Sequence, residues 1–130
     1  THLLRPLNGN SCSSLAQQWT LTKNRRVVNR AFNTWMYEDL IWSLPNEGYI
    51  VDQKSNKVLG VDGENSFGSK VMLQTKDDPE NLNQKWKRVA TDEEEFFVLK
   101  NLKSGLFLNN VQLMLPIVEY PTIESIDCLF

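Results

Sequence analysis

The sequence has few of the residues on which most catalytic and metal centres are built. Its 130 residues include one histidine, His2, and two cysteines, Cys12 and Cys128. A zinc site typically needs four such ligands and a disulfide-rich scaffold needs several cysteine pairs, so the chain fits neither class. A histidine at the start of the sequence is also poorly placed to serve as the fixed base of a Ser–His or Cys–His pair. We therefore expect no catalytic residues, no metal and no cofactor.

An excess of positive charge and a long apolar run are also lacking. The net charge is −2 at pH 7, whereas nucleic-acid-binding domains usually carry clustered positive charge. No stretch approaches the ~18 consecutive apolar residues of a membrane-spanning helix. We expect neither a nucleic-acid partner nor a membrane span. With 41% apolar and 23% charged residues, the composition is typical of one globular domain over residues 1–130.

The middle of the chain contains a series of short segments with the pattern of strands. Four segments are rich in β-branched and aromatic residues and are separated by the Gly, Pro, Asn, Asp and Ser residues that favour turns. They are GYIVD at 48–52, KSNKVLGV at 54–61, KVMLQ at 70–74 and NQKW at 83–86. The pattern predicts four short strands joined by turns. Helical periodicity is weak, although residues 27–44 are apolar enough to contain one short helix.

The same pattern restarts after Trp86, which indicates an internal repeat. FFVLKN matches GYIVD, KSGLFLN matches KSNKVLG, and the copy closes on Phe130, 44 residues after Trp86. Trp42 lies 44 residues before Trp86 and closes a first, weaker copy. The predicted pseudo-repeats of roughly 43 residues are about 1–43, 44–88 and 89–130. A closed three-fold barrel explains copies with unequal loops better than a solenoid, and it leaves no exposed strand edges.

Residues in these copies resemble the ricin-type lectin family. The matching features are the G-Y-I and S-N-K-V-L segments, the N-Q-K-W segment that contains the family's Q-x-W signature at Gln84 and Trp86, and S-G-L-F-L in the next copy. The resemblance covers about residues 42–109 and implies an all-β fold, a β-trefoil, in which the tryptophan fills the core and the glutamine bonds to backbone groups. Trp19 follows a glutamine pair but is only 23 residues from Trp42, so equal spacing leaves it out of phase.

The resemblance also implies where a sugar would bind. In that family an Asp after the second strand accepts hydrogen bonds from sugar hydroxyls, an aromatic residue stacks on the ring, and an Asn precedes the signature Gln. Carried onto this sequence, the Asp position is Gly60 and the aromatic position is Gln74, so Asp62 and Phe67 are expected to substitute. The candidate carbohydrate-binding residues are Asp62, Gln74, Asn83, Gln84 and, in the third copy, Asn109, where Tyr120 is a candidate for stacking.

Two functions follow from this pattern. The first is a carbohydrate-binding, ricin-type lectin-like domain that recognises a glycan or glycoconjugate through shallow loop pockets and is not an enzyme. The alternative keeps the trefoil and binds a protein partner, as an interaction or inhibitor module, through loops around Trp35, Tyr37 and Tyr120. The missing Asp and aromatic positions favour the alternative, so both remain open.

Two further features bear on partners and location. The acidic run DEEE at 92–95 has the composition of a solvated loop and lacks the ligand spacing of a calcium motif. Cys12 and Cys128 lie in the first and last copies, and the ends of a closed barrel meet, so a disulfide between them is a hypothesis that rests on the fold. Such a bond would place the protein in a secreted or extracellular setting.

Overall fold

The structure is a computed structural model that describes residues 2–7 and 15–111. This part of the chain is all-β, with antiparallel strands and a short 3-10 helix over Leu82–Gln84. The strands are β1 (His2–Arg5), β2 (Trp19–Leu21), β3 (Val27–Asn29), β4 (Trp42–Ser43), β5 (Glu47–Gly48), β6 (Val51–Asp52), β7 (Val58–Val61), β8 (Val71–Gln74), β9 (Trp86–Ala90), β10 (Phe97–Asn101) and β11 (Phe107–Asn110). Cys12, Cys128 and Tyr120 lie outside the described residues.

The strands form two antiparallel sheets. In the larger sheet the order is β1-β11-β10-β2-β3, and β9 joins β10 to β5. The smaller sheet has the order β4-β6-β7-β8. The segment at 27–44 forms β3, β4 and turns, so the helix that its composition allows does not form. Asn33 and Tyr37 have positive φ angles of 54° and 63°, which a right-handed helix cannot contain.

One turn geometry occurs three times along the chain. It starts at a buried Asn29, Asp52 or Asn101, whose side-chain oxygen accepts hydrogen bonds from the backbone N–H groups two and three residues later. The N–H four residues later donates to the carbonyl of the same starting residue. That donor residue has a positive φ in each turn. The three donors are Asn33, Asn56 and Gly105.

A buried tryptophan faces the starting residue of each turn across an antiparallel strand pair. Trp19 is paired with Asn29, Trp42 with Asp52 and Trp86 with Asn101. In each pair the residue after the Asn or Asp donates its N–H to the carbonyl of the residue before the tryptophan. These bonds join Arg30 to Gln18, Gln53 to Ile41, and Leu102 to Lys85. The described chain therefore contains three copies of one hairpin, with turns 23 and 49 residues apart rather than at a constant interval.

The core repeats in the same way. Residues two before and seven after each turn-starting residue are fully buried apolar side chains. The first set is Val27, Ile50 and Leu99, and the second is Met36, Leu59 and Leu108. With the three tryptophans they belong to one apolar cluster. Trp19, which equal spacing left unassigned, is a core residue equivalent to Trp42 and Trp86.

The Asp52 turn tests whether the hydrogen bonds of these turns stabilise the fold. Burial raises the pKa of Asp52, but the bonds from the Ser55 hydroxyl and the N–H groups of Lys54 and Ser55 outweigh it and lower the pKa. Asn accepts the same backbone bonds at positions 29 and 101. We expect Asp52→Asn to change the free energy of unfolding by less than about 1 kcal/mol and Asp52→Ala to lower it by about 1 to 2 kcal/mol, because the alanine removes the acceptor of three partly buried hydrogen bonds. Urea denaturation measures both, and equal losses would contradict this role for the side chain.

Candidate functional site

Gln84, the glutamine of the Q-x-W segment, connects the loop at 75–82 to the core by hydrogen bonds. Its Oε1 accepts from the Asp77 N–H at 2.9 Å, and its Nε2 donates to the Thr75 carbonyl and to Gln74 Oε1, both at 3.0 Å. Gln84 is buried, so these partners use its bonding capacity inside the protein. Trp86 is buried as well, and its indole N–H donates to the Leu59 carbonyl at 2.8 Å.

A second copy of this arrangement involves Gln17 and Trp19. Gln17 Nε2 donates to the Pro6 carbonyl at 2.7 Å, as Gln84 does to Thr75, and the Trp19 indole donates to the Leu108 carbonyl at 3.3 Å. The Q-x-W spacing was visible in the sequence. Equal repeat lengths hid it, because the strand that completes this copy is β1, which pairs with β11 from the other end of the described chain.

Gln74, at the position where the family resemblance expects a stacking aromatic residue, forms hydrogen bonds inside the protein. Its Nε2 donates to the Val61 carbonyl at 3.1 Å, while its Oε1 receives the bond from Gln84. The side chain lies directly over Gly60, so that a Cβ at Gly60 would overlap Gln74 Oε1. Gly60 and Gln74 are at the expected Asp and aromatic positions, and they pack against each other.

Asn83 belongs to a cluster of three asparagines. Asn65 Nδ2 donates to Asn83 Oδ1 and, at 2.8 Å, to Asn101 Oδ1, and Asn101 Nδ2 donates to the Asn83 carbonyl at 3.0 Å. The backbone N–H of Asn83 donates to Asn81 Oδ1 at 3.0 Å, which caps the 3-10 helix. The cluster joins the 62–69 loop to the Asn101 turn. The sequence did not single out Asn65 in this role, because it looked like part of a polar turn.

The remaining candidates lie apart from this cluster. Asp62 is exposed and is held through its backbone N–H, which donates to Lys70. Asn109 is buried, pairs with Leu3 across strands β1 and β11, and donates to the Asn110 carbonyl at 3.2 Å. The structure thus brings Gln74 and Gln84 into contact, sets Asn83 beside them in the chain, and does not join Asp62 or Asn109 to them by any described bond.

Two open clefts flank the loop at 75–82 that Gln84 holds. The Lys103 cleft has a volume of about 530 Å³ and is lined by Asp77, Asp78, Pro79, Glu80, Asn81, Leu82 and Lys103. The Tyr49 cleft has a volume of about 440 Å³ and is lined by Tyr49, Lys76, Asp77, Asp78 and Glu80. Each cleft combines carboxylates, an ammonium group and an apolar side chain. A sugar has hydroxyl groups at its edges and an apolar ring face, and the mixture of donors, acceptors and apolar surface in each cleft is suited to both.

The three carboxylates of this loop differ in their partners. Asp77 Oδ2 accepts from Asn81 Nδ2 at 2.8 Å, and Glu80 forms an ion pair with Lys85. Asp78 is exposed, lines both clefts and has no hydrogen bond or ion pair with any described residue. Asp78 is therefore the carboxylate of this loop that is available to a ligand. The sequence did not predict this role, because the position of Asp78 depends on the hydrogen bonds that Gln84 makes to the loop.

His2 has a structural role. Its ring stacks on Trp19 with centroids 5.4 Å apart, and its Nε2 accepts from the Tyr37 N–H at 2.9 Å. Burial lowers the pKa of His2 to about 4, and an Nε2 that accepts a hydrogen bond also favours the neutral ring. The imidazole is thus enclosed as a neutral acceptor.

Comparison with protein-family models, curated proteins and solved structures finds no match in any of the three. Within residues 2–7 and 15–111, no helix has the length and apolarity needed to cross a membrane. The same residues hold no group of three or more His, Cys, Asp or Glu side chains arranged to bind a metal ion.

The packing of Gln74 over Gly60 predicts a coupled pair of substitutions. Gly60→Ala is expected to lower the free energy of unfolding by about 2 kcal/mol, because the new methyl group displaces Gln74 and breaks its bonds to Val61 and Gln84. In a Gln74→Ala background, Gly60→Ala should cost less than half as much, since the overlap with Gln74 is gone and only a tight contact with Gln84 Cγ at 3.1 Å remains. A double-mutant cycle by urea denaturation measures the coupling. Additive losses would show that Gln74 does not fill this space.

The His2 environment predicts a pH-dependent stability with a defined sign. The unfolded chain takes up a proton at His2 near pH 6.5 and the folded chain near pH 4, so His2 lowers stability as pH falls through this window and leaves it unchanged above it. The expected loss is up to about 3 kcal/mol. His2→Gln keeps an acceptor for Tyr37 but does not titrate. The stability difference between the two proteins should therefore change across pH 4 to 6.5, whereas parallel curves would contradict a buried neutral ring.

Proposed function

We propose that this chain is a β-trefoil carbohydrate-binding domain of the ricin type. The three equivalent hairpins, each with a core tryptophan opposite an Asn or Asp, support the trefoil, since that fold is built from three such units. The two Q-x-W segments, which hold loops through equivalent bonds to Thr75 and Pro6, support the resemblance to the lectin family. Because folds host many functions, the binding proposal depends on the site.

The proposed recognition site is the loop at 75–82 with the clefts on either side of it. The carboxylate of Asp78 accepts hydrogen bonds from sugar hydroxyls, and the ammonium groups of Lys76 and Lys103 donate to them. Leu82, 47% exposed, provides apolar contact with the ring face in the Lys103 cleft. In the other cleft the centroid of the Tyr49 ring lies 4.4 Å from Lys76 Nζ and 5.1 Å from Lys85 Nζ, so Tyr49 acts there by holding the ammonium groups.

The main support for the proposal is that the loop carrying Asp78, a carboxylate without a described partner, is held in place by hydrogen bonds. Gln84 fixes the loop through Asp77 and Thr75, so Asp78 is presented on a main chain that is already ordered. A preorganised site loses less conformational entropy on binding. Sites of this kind are shallow and bind weakly, and affinity then rises when several copies act together.

A glycan array followed by calorimetry with the best ligand tests this proposal. Asp78→Asn removes the charged acceptor without changing the size of the side chain, and we expect affinity to fall about tenfold, as for one charge-assisted hydrogen bond. Lys103→Ala and Lys76→Ala then report which cleft holds the ring. Asp92→Asn, a carboxylate outside both clefts, is the matched control and should bind as the unmodified protein does. An array without binding to folded protein, or binding indifferent to Asp78→Asn, would refute the proposal.

A second candidate function is protein binding, and one surface favours it. Phe67 is 65% exposed and Leu7 is 56% exposed, and the segments that contain them are joined by a hydrogen bond from the Gly68 N–H to the Leu4 carbonyl at 2.7 Å; exposed apolar side chains that cluster mark interaction surfaces. The Arg5 guanidinium carbon lies 6.0 Å from the Phe67 ring centroid. Exposed aromatic and arginine side chains are enriched in protein interfaces. Loss of a partner on Phe67→Ser, with glycan binding intact, would assign this function to the chain in addition.

A further inference from the structure

A third cleft lies away from the 75–82 loop and involves neither Q-x-W motif. It has a volume of about 470 Å³ and is built from four separate segments of the chain. Strand β2 contributes Thr20, the β4–β5 connection contributes Asn46, β9 contributes Arg88, and the end of the acidic run contributes Glu94 and Glu95. Leu21 and Phe97 add apolar surface to this Arg88 cleft.

Arg88 is held in place and is only partly free to bind. Its Nη2 donates to Asn46 Oδ1 at 2.9 Å, and its backbone N–H donates to the Asn46 carbonyl at 2.8 Å. The guanidinium carbon lies 5.4 Å from the centroid of the Phe97 ring, within the range of a cation–π contact. The arginine therefore serves as a fixed donor in the wall of the cleft.

The acidic side of the cleft has two carboxylates that form no ion pair with the described residues. Glu93 forms an ion pair with Arg30 at 2.9 Å, and Arg30 also lies 4.2 Å from the Phe96 ring centroid, which anchors the acidic run. Glu94 and Glu95 make no ion pair with a described residue, and both line the cleft. The lining of the Arg88 cleft thus contains two carboxylates without an ion pair to a described residue and one guanidinium that is bonded to the neutral Asn46, which leaves an excess of negative charge.

We propose that the Arg88 cleft is a second saccharide site that selects an amino sugar with a free, protonated amine. The ammonium group pairs with Glu94 and Glu95, while ring hydroxyls accept from Arg88 and bond to Thr20 and Asn46. A carboxylated sugar is disfavoured by the two glutamates, and a neutral sugar leaves them unpaired. This inference extends the proposed carbohydrate binding to another ligand class, and it depends on different residues.

The test uses a glucosamine trimer and its N-acetylated counterpart as probes at mildly acidic pH. Backbone-amide NMR titration gives both the affinity and the location. We expect the glucosamine trimer to shift the amides around Thr20, Asn46 and Arg88, and the acetylated trimer to bind at least about tenfold more weakly, because acetylation removes the charge. Raising the salt concentration should weaken binding of the free amine, since both carboxylates are exposed.

Variants separate this site from the one at the 75–82 loop. The double substitution Glu94→Gln and Glu95→Gln should weaken glucosamine binding about tenfold, whereas Asp92→Asn and Asp78→Asn should leave it unchanged. Equal binding of both trimers, or shifts confined to residues 75–82, would overturn the second site. If no neutral glycan on the array binds but glucosamine shifts the amides of the Arg88 cleft, the proposed site at 75–82 is refuted and the Arg88 site is supported.

Discussion

The fold depends on satisfying a buried Asn or Asp opposite each of three buried tryptophans. Asn29, Asp52 and Asn101 each have little exposure, and without partners their polar atoms would cost stability. Each one instead accepts two backbone N–H groups of a tight turn. The turn reverses the chain and sends the apolar residue seven positions later into the core. One local hydrogen-bond pattern therefore sets the hairpin, the direction of the next strand and a layer of core side chains.

The three copies differ because they are completed by different strands. The Trp86 indole donates to Leu59 and the Trp19 indole to Leu108, where β8 and β1 complete the respective units. In the shortest copy the Leu59 equivalent is Met36, and its carbonyl accepts from the Glu38 N–H. The buried indole nitrogen of Trp42 has no hydrogen-bond partner among the described residues. After Met36 the chain turns back where the other copies form a strand, and the Met36 carbonyl bonds to Glu38 instead of to the indole.

Much of the strand pattern was predictable from sequence, and the phase of the repeat was not. Alternating apolar residues and turn-forming residues indicated β7 and β8, and Q-x-W indicated that Trp86 is in the core. The segment at 48–52 contributes to two short strands, β5 and β6, rather than one. The strand predicted at 83–86 was wrong, because residues 83 and 84 belong to the 3-10 helix and only Trp86 begins β9. A constant interval of 44 residues then failed at Trp19, because loops of unequal length separate equivalent hairpins and strand order is fixed by long-range pairing. The position of Gln74 was also beyond sequence reasoning. Its neighbours Gly60 and Gln84 meet it only through strand pairing and the loop that follows.

The glutamine over Gly60 has a consequence for where any ligand contacts this protein. A pocket needs side-chain polar atoms that exchange water for ligand at little cost. Gln74 and Gln84 have exchanged water for each other and for the backbone, so a ligand that contacts them must first break internal hydrogen bonds. The same glutamine, Gln84, also bonds to Asp77 and Thr75 and so orders the loop that presents the exposed Asp78. The hydrogen bonds that make Gln74 and Gln84 unavailable to a ligand therefore also fix the loop whose carboxylate remains available.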